Sequence, residues 1–299
     1  MYRGITFRQF LVDLNREISE DNVFVGAAAL GYYLTLAIFP ALILLMTIIP
    51  YLPVANIDQE IMRVLETALP EDAFSMVSRV VEEVTSQRRG GLLSFGVLGT
   101  LWAASTGMYA IMQQLNITYD VSEARSYIRA RAVALALSIM FGLLVIGAFW
   151  LIVAGGAAED WLGEQRGIPD FLLTIFAVFR WIVIVLALLL GFALIYKFAP
   201  NVEQKFRFIT PGSVIGVLLL IIASLGFAIY VANFADYSAT YGSIGAVIIL
   251  MFWLYIAGLV ILVGSEINAL IEHYSPKGKR KGEKTEGERL GGPLHDAGD

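Results

Sequence analysis

One stretch limits what this chain can fold into more than any other: residues 241–268, YGSIGAVIILMFWLYIAGLVILVGSEIN. An α-helix rises about 1.5 Å per residue, so about 20 apolar residues cross the ~30 Å hydrocarbon core of a bilayer. This run exceeds that length and carries no charge before Glu266. A helix that is apolar on every face belongs in lipid or deep inside protein. The run opens with Tyr241, Gly242 and Gly245, and closes on Gly264, Ser265, Glu266 and Asn268. It is therefore a greasy rod with a polar group at one end. The rest of the chain reads as partners for it and as loops that set its direction.

Five more apolar runs supply those partners. They predict spans at about residues 25–49, 92–117, 132–154, 171–198 and 212–231, with the sixth at 242–270. Only 16% of residues are charged, where a soluble domain has about a quarter. The expected fold is all-α: a polytopic membrane protein with six transmembrane helices plus amphipathic interfacial and extracytoplasmic helices. Residues 1–275 form the membrane domain. Residues 276–299 read as a disordered, charged cytoplasmic tail with too little apolar surface to pack. No apolar h-region precedes Val25, so a cleaved secretory signal is not expected.

Local signals refine this. Phe7, Phe10, Leu11, Leu14 and Ile18 recur at helical spacing. They predict an amphipathic helix that lies on the membrane or on the protein's own face. Gly26, Ala27, Ala28, Ala29 and Gly31 open the first span with small residues suited to close helix approach. Pro40 interrupts that span, where it kinks the helix or frees a carbonyl. Residues 50–91 read as two amphipathic segments, a helical hairpin at the outer surface. The second span carries a ridge of Gly96, Gly99, Ala103 and Gly107, then turns polar with Ser105, Thr106, Gln113, Gln114 and Asn116. Residues 119–131 read as a short basic loop, and 155–170 as an acidic one. Arg180, inside the fourth span, either snorkels to the outer interface, the preferred reading, or pairs within the bundle.

Charge sets the orientation. Fifteen of the 21 lysines and arginines fall in the N-terminus, the loops after spans two and four, and the tail. Positive charge favours cytoplasmic loops, so both termini are expected in the cytoplasm of a bacterial or archaeal inner membrane.

Motifs of catalysis are absent from the sequence. It has no cysteine, no HExxH, no Walker A and no GxSxG, and only His273 and His295 as histidines. No enzymatic activity, cofactor, metal site or nucleic-acid partner is expected. What remains is polarity at membrane depth: Glu266 and Asn268 near the end of the last span, and Asn116 with the glutamines at the same end of the second. An ionisable group inside a membrane is a functional candidate. The structural alternative, a hydrogen bond from Glu266 to Arg125, Asn116 or a helix end, stands equally open. The candidate substrate-contacting set is Tyr33, Pro40, Gln113, Asn116, Arg125, Tyr241, Glu266 and Asn268.

Several segments together resemble the YihY/BrkB family of membrane proteins. They are AAALGYYLTLAIFP (27–40), LWAASTGMYAIMQQLNITYD (101–120), YKFAPN (196–201), Pro211–Gly212, GFAIYVANFADYSATYGS (226–243) and the 241–268 stretch. The resemblance implies a six-span inner-membrane protein. It also implies links to serum resistance and, for some members, to export of lipid or lipopolysaccharide precursors. The family once carried the label ribonuclease BN, which nothing in these residues supports. The expected function is transport or flipping of a lipid-like or amphiphilic substrate, with membrane lipids as partners. A pore or ion channel and a non-transporting scaffold are the alternatives. The sequence leaves the oligomeric state open.

Overall fold

A computed structural model describes residues 6–48, 90–164, 169–202, 209–233 and 243–274, with single helical positions at 62, 66, 74 and 78. Among the described residues there are seven long helices and no strand. They are α1 (Phe7–Glu20), α2 (Val23–Ile48), α3 (Gly90–Thr118), α4 (Tyr127–Glu164), α5 (Asp170–Phe198), α6 (Pro211–Asn233) and α7 (Ser243–His273). The outer hairpin expected at 50–91 lies almost wholly outside the described residues, and the tail lies outside them entirely.

Among the described residues, four stretches are long and apolar enough to cross a membrane: Tyr127–Ile152, Phe171–Phe198, Pro211–Val231 and Val247–Glu272. A fifth arises if Phe7–Glu20 and Val23–Ile38, bent by 56° at their junction, count as one span. The sequence expectation was six. Helix α3 covers the expected second span, residues 92–117, from end to end. It runs antiparallel to α2, since a Cβ on Gly26 would meet Gln114 while one on Gly107 would lie 3.5 Å from Leu34.

Small residues decide the centre of the bundle. Helices α2 and α7 cross where Gly31 approaches the Tyr255 backbone and Gly258 approaches Leu30 and the Ala27 carbonyl. Added Cβ atoms there would sit 3.1–3.3 Å from those neighbours, too close to fit without movement. The AAALG segment thus does what its composition predicts. The ridge expected on α3 holds only in part: Gly107 faces α2, but Gly99 faces open space. Val23, Ala27, Leu30, Met112, Leu115 and Leu262 form the buried core at this crossing. Outward faces stay apolar, with Ile139, Phe141, Leu143, Leu218, Ile222 and Leu225 all exposed, as a lipid-facing surface requires.

Two loops are shorter than expected because helix α4 is longer. It begins at Tyr127, so Arg129 and Arg131 sit in its first turns, and it continues to Glu164. Glu159 is therefore helical and forms an ion pair with Arg180 of α5 at 3.1 Å. Gly155 leaves the room, since a Cβ there would lie 2.6 Å from Arg180 Cδ. Of the two readings for Arg180, pairing within the bundle is the one realised.

Candidate functional site

The polar side chains converge at one end of the bundle, where α3, α5 and α7 finish and α2, α4 and α6 begin. Helix α3 stops there in a Schellman motif. Val121 N–H donates to Asn116 C=O at 2.9 Å, Asp120 N–H donates to Ile117 C=O at 2.9 Å, and Asp120 has φ 47°. An Asp tolerates this left-handed conformation better than most residues. The turn directs the chain back along the bundle end.

A network grows from that turn. Asn116 Nδ2 donates to Glu123 Oε2 at 3.0 Å, and Asn116 Oδ1 accepts from Asn201 N–H at 2.7 Å. Arg125 grips both oxygens of Glu123, from Nε and Nη2, at 2.7 Å each. Its guanidinium also donates to Ala199 C=O at 2.8 Å and to Phe198 C=O at 3.4 Å. A cation at the last carbonyls of α5 meets the negative end of the helix dipole. Asn201 Nδ2 closes the ring on Ser122 C=O at 3.0 Å. Burial opposes charge on the Glu123 carboxyl. Hydrogen bonds from Arg125 and Asn116, with the Arg125 charge, outweigh that and hold it below the usual glutamate range.

The second group joins α7 to α6 and α3. Thr210, Pro211, Gly212 and Ser213 form the start of α6. Ser213 N–H donates to Thr210 Oγ1 at 3.0 Å, and Thr210 N–H donates to Ser213 Oγ at 2.9 Å. This is reciprocal capping, with proline at the first helical position. Asn268 completes the cap from α7, its Oδ1 accepting from Gly212 N–H at 2.8 Å. Ser265 Oγ bonds Thr118 Oγ1 at 2.8 Å, and Tyr196 Oη donates to Ile261 C=O at 2.9 Å. Glu266 sits among them, 1% exposed. The α6 and α7 backbones nearly touch: a Cβ on Gly212 would overlap Gly264 C=O, and one on Gly264 would lie 2.9 Å from Gly212 C=O.

The profile of the virulence factor BrkB family matches residues 14–288. The chain belongs to that family. Among BrkB-like relatives, the ribonuclease-like protein YfkH of Bacillus subtilis is 41% identical over 245 residues, covering 82% of this chain and 88% of that protein. A UPF0761 membrane protein of Vibrio vulnificus is 25% identical over 280 residues, covering 91% and 85%. Another, of Idiomarina loihiensis, is 26% identical over 269 residues, covering 89% and 91%. No solved structure matches the chain. This BrkB-family chain is thus an integral, multi-pass membrane protein.

The eight residues singled out from sequence separate sharply in this BrkB-family structure. Asn116 and Arg125 belong to the first network, and Asn268 and Glu266 to the second. Arg125 engages Glu123 and the α5 carbonyls. Gln113 and Tyr33 are exposed on the outside of the bundle. On α3 it is Gln114, next in sequence, that turns toward Gly26. Pro40 lies within α2, which continues past it to Ile48. Tyr241 lies outside the described residues. Sequence reasoning passed over Thr118, Glu123, Tyr196, Asn201 and Ser213. Asn201 and Tyr196 stood in the YKFAPN motif, but nothing in its spacing assigns them these partners. Among the described residues no three His, Asp or Glu side chains gather as a metal-binding group.

Proposed function

We propose that this BrkB-family protein moves a lipid or other amphiphilic molecule across or within the inner membrane. The observation that carries the reading is Glu266: a carboxyl 1% exposed, inside the apolar stretch Val247–Glu272. An ionisable group in such a place is costly and marks substrate or ion pathways. Its helix neighbours Ser265 and Asn268 hold α3 and α6, so a change of charge or contact at Glu266 acts where three helices meet. Glycines at 212 and 264 let the α6 and α7 backbones approach closely at that meeting point.

Reconstitution tests this directly. In liposomes with fluorescent lipid analogues, the wild-type chain is expected to accelerate translocation over empty vesicles. Glu266→Gln, which keeps the shape but removes the ionisable group, is expected to lose most of that rate. Equal rates for protein-containing and empty vesicles would remove the proposal. Currents in planar bilayers at a rate beyond carrier turnover would replace it by a pore.

The orientation is proposed with both termini in the cytoplasm. The chain has no native cysteine, so single cysteines report without background. Cysteine introduced at Ser122 or in the tail at Gly278 is expected to resist a membrane-impermeant maleimide in intact cells and react after lysis. Cysteine at Gly167 is expected to react in intact cells. The reverse pattern would invert the topology.

A further inference from the structure

On α4, one cation stands apart from both networks. Arg131 stands four residues, about 6 Å, inside the start of the apolar stretch Tyr127–Ile152. Its guanidinium lies 5.0 Å from the ring centres of Trp102 and Tyr109 and 5.7 Å from that of Tyr127. Nε donates to Tyr127 Oη at 3.2 Å and Nη1 to Thr106 Oγ1 at 3.2 Å. Among the described residues no carboxylate pairs with it. A guanidinium has five N–H donors, so Nη2 and the second proton of Nη1 remain for another acceptor.

The surroundings say what that acceptor is. Trp102 is 64% exposed and Tyr127 61%. Leu98, one turn from Trp102 on α3, and Ile128 beside Tyr127 are also exposed. Arg129, exposed two residues earlier on α4, adds positive charge to the same end of the helix. A cation held in a planar fork, framed by aromatic rings at the end of a lipid-facing apolar surface, complements an anion that carries hydrocarbon. We propose that Arg131, with Trp102, Tyr109, Tyr127 and Thr106, forms a binding site for the phosphate of an anionic phospholipid. The fork meets two phosphate oxygens, the rings lie at headgroup level, and an acyl chain runs along the α3–α4 surface past Leu98. The site is independent of the transport reading, because it shares no residue with the Glu266 group.

Native mass spectrometry of the full chain, delipidated in detergent, tests the site. The probes are dioleoyl phosphatidylglycerol, dioleoyl phosphatidylcholine and inorganic phosphate. Wild type is expected to retain one phosphatidylglycerol with about tenfold preference over phosphatidylcholine, the scale of one charged hydrogen-bonded contact. Arg131→Gln is expected to lose that one adduct. Arg131→Lys is expected to keep part of the preference, with charge but no fork. Lipid binding is expected to survive millimolar inorganic phosphate. Equal retention of both lipids by wild type, a measurement that needs no variant to fold, would overturn the proposal. So would an unchanged adduct count in Arg131→Gln, or full displacement by inorganic phosphate, which would make the site one for a free anion.

Discussion

Gly212→Ala is expected to lower the thermal midpoint of the detergent-solubilised protein by about 4–16 °C. The physical reason is the approach of α6 to α7. An added Cβ would overlap the Gly264 carbonyl and stand 2.6 Å from Asn268 Cγ. The first obstacle is backbone and cannot rotate away, and the second holds the Gly212 N–H. Relieving the overlap separates the helices and breaks the cap that Asn268 provides. Overpacking typically costs about 1–3 kcal/mol, a lost cap about 1 kcal/mol, and each kcal/mol shifts the midpoint by roughly 2–4 °C in a chain of this size. Gly99→Ala is the control: its Cβ would meet nothing within 4 Å, so alanine's helix propensity makes it neutral or slightly stabilising. Equal midpoints for the two variants would mean that α6 and α7 are not in this contact.

Arg125→Ala is expected to cost about 2–4 kcal/mol at pH 7, the scale for removing one partner of a partly buried, hydrogen-bonded charge pair. The substitution leaves Glu123 with the Asn116 amide and the backbone N–H of residue 125 and removes the cation from the Phe198 and Ala199 carbonyls. It also changes how stability responds to acid. The Glu123 carboxyl is held below its ordinary range in the folded protein. Its contribution is therefore complete above the unfolded glutamate pKa of about 4.3, and is lost as pH falls through the lower folded value. Wild type is expected to lose stability below about pH 4, and the gap between wild type and Arg125→Ala to narrow there. Thermal midpoints of both proteins at pH 7 and across that acid range measure this. A gap that stays constant with pH would sink the charged-pair account of this network.

Much of the architecture was legible because lipid imposes one-dimensional rules. Runs of apolar residues had to be helices, since hydrocarbon satisfies no backbone group. Small residues at 26–31 had to meet another helix closely, and they do, at Gly258 and Tyr255. The family motifs read from 101–120, 196–201 and 241–268 led to the same family that the whole-chain match shows. Boundaries were less legible. Charged residues look like loop residues, yet Arg131 and Glu159 are helical because ring faces and Arg180 neutralise the cost of carrying them in α4.

The candidate site was legible only as a set of residue types. Helical periodicity could not say that Gln114 rather than Gln113 faces Gly26, because a polar helix face has no apolar stripe to fix its rotation. Nor could it say that Asn268 caps a helix 56 positions away in sequence, or that Asn116 would bind the backbone of Asn201. Composition and the order of apolar runs determined that this is a helical membrane protein with its polarity gathered near the ends of particular helices. Which polar groups meet was left to packing, because hydrogen-bond partners depend on the rotation and depth of each helix against its neighbours, and those follow from steric contacts such as Gly212 on Gly264 that no local pattern encodes.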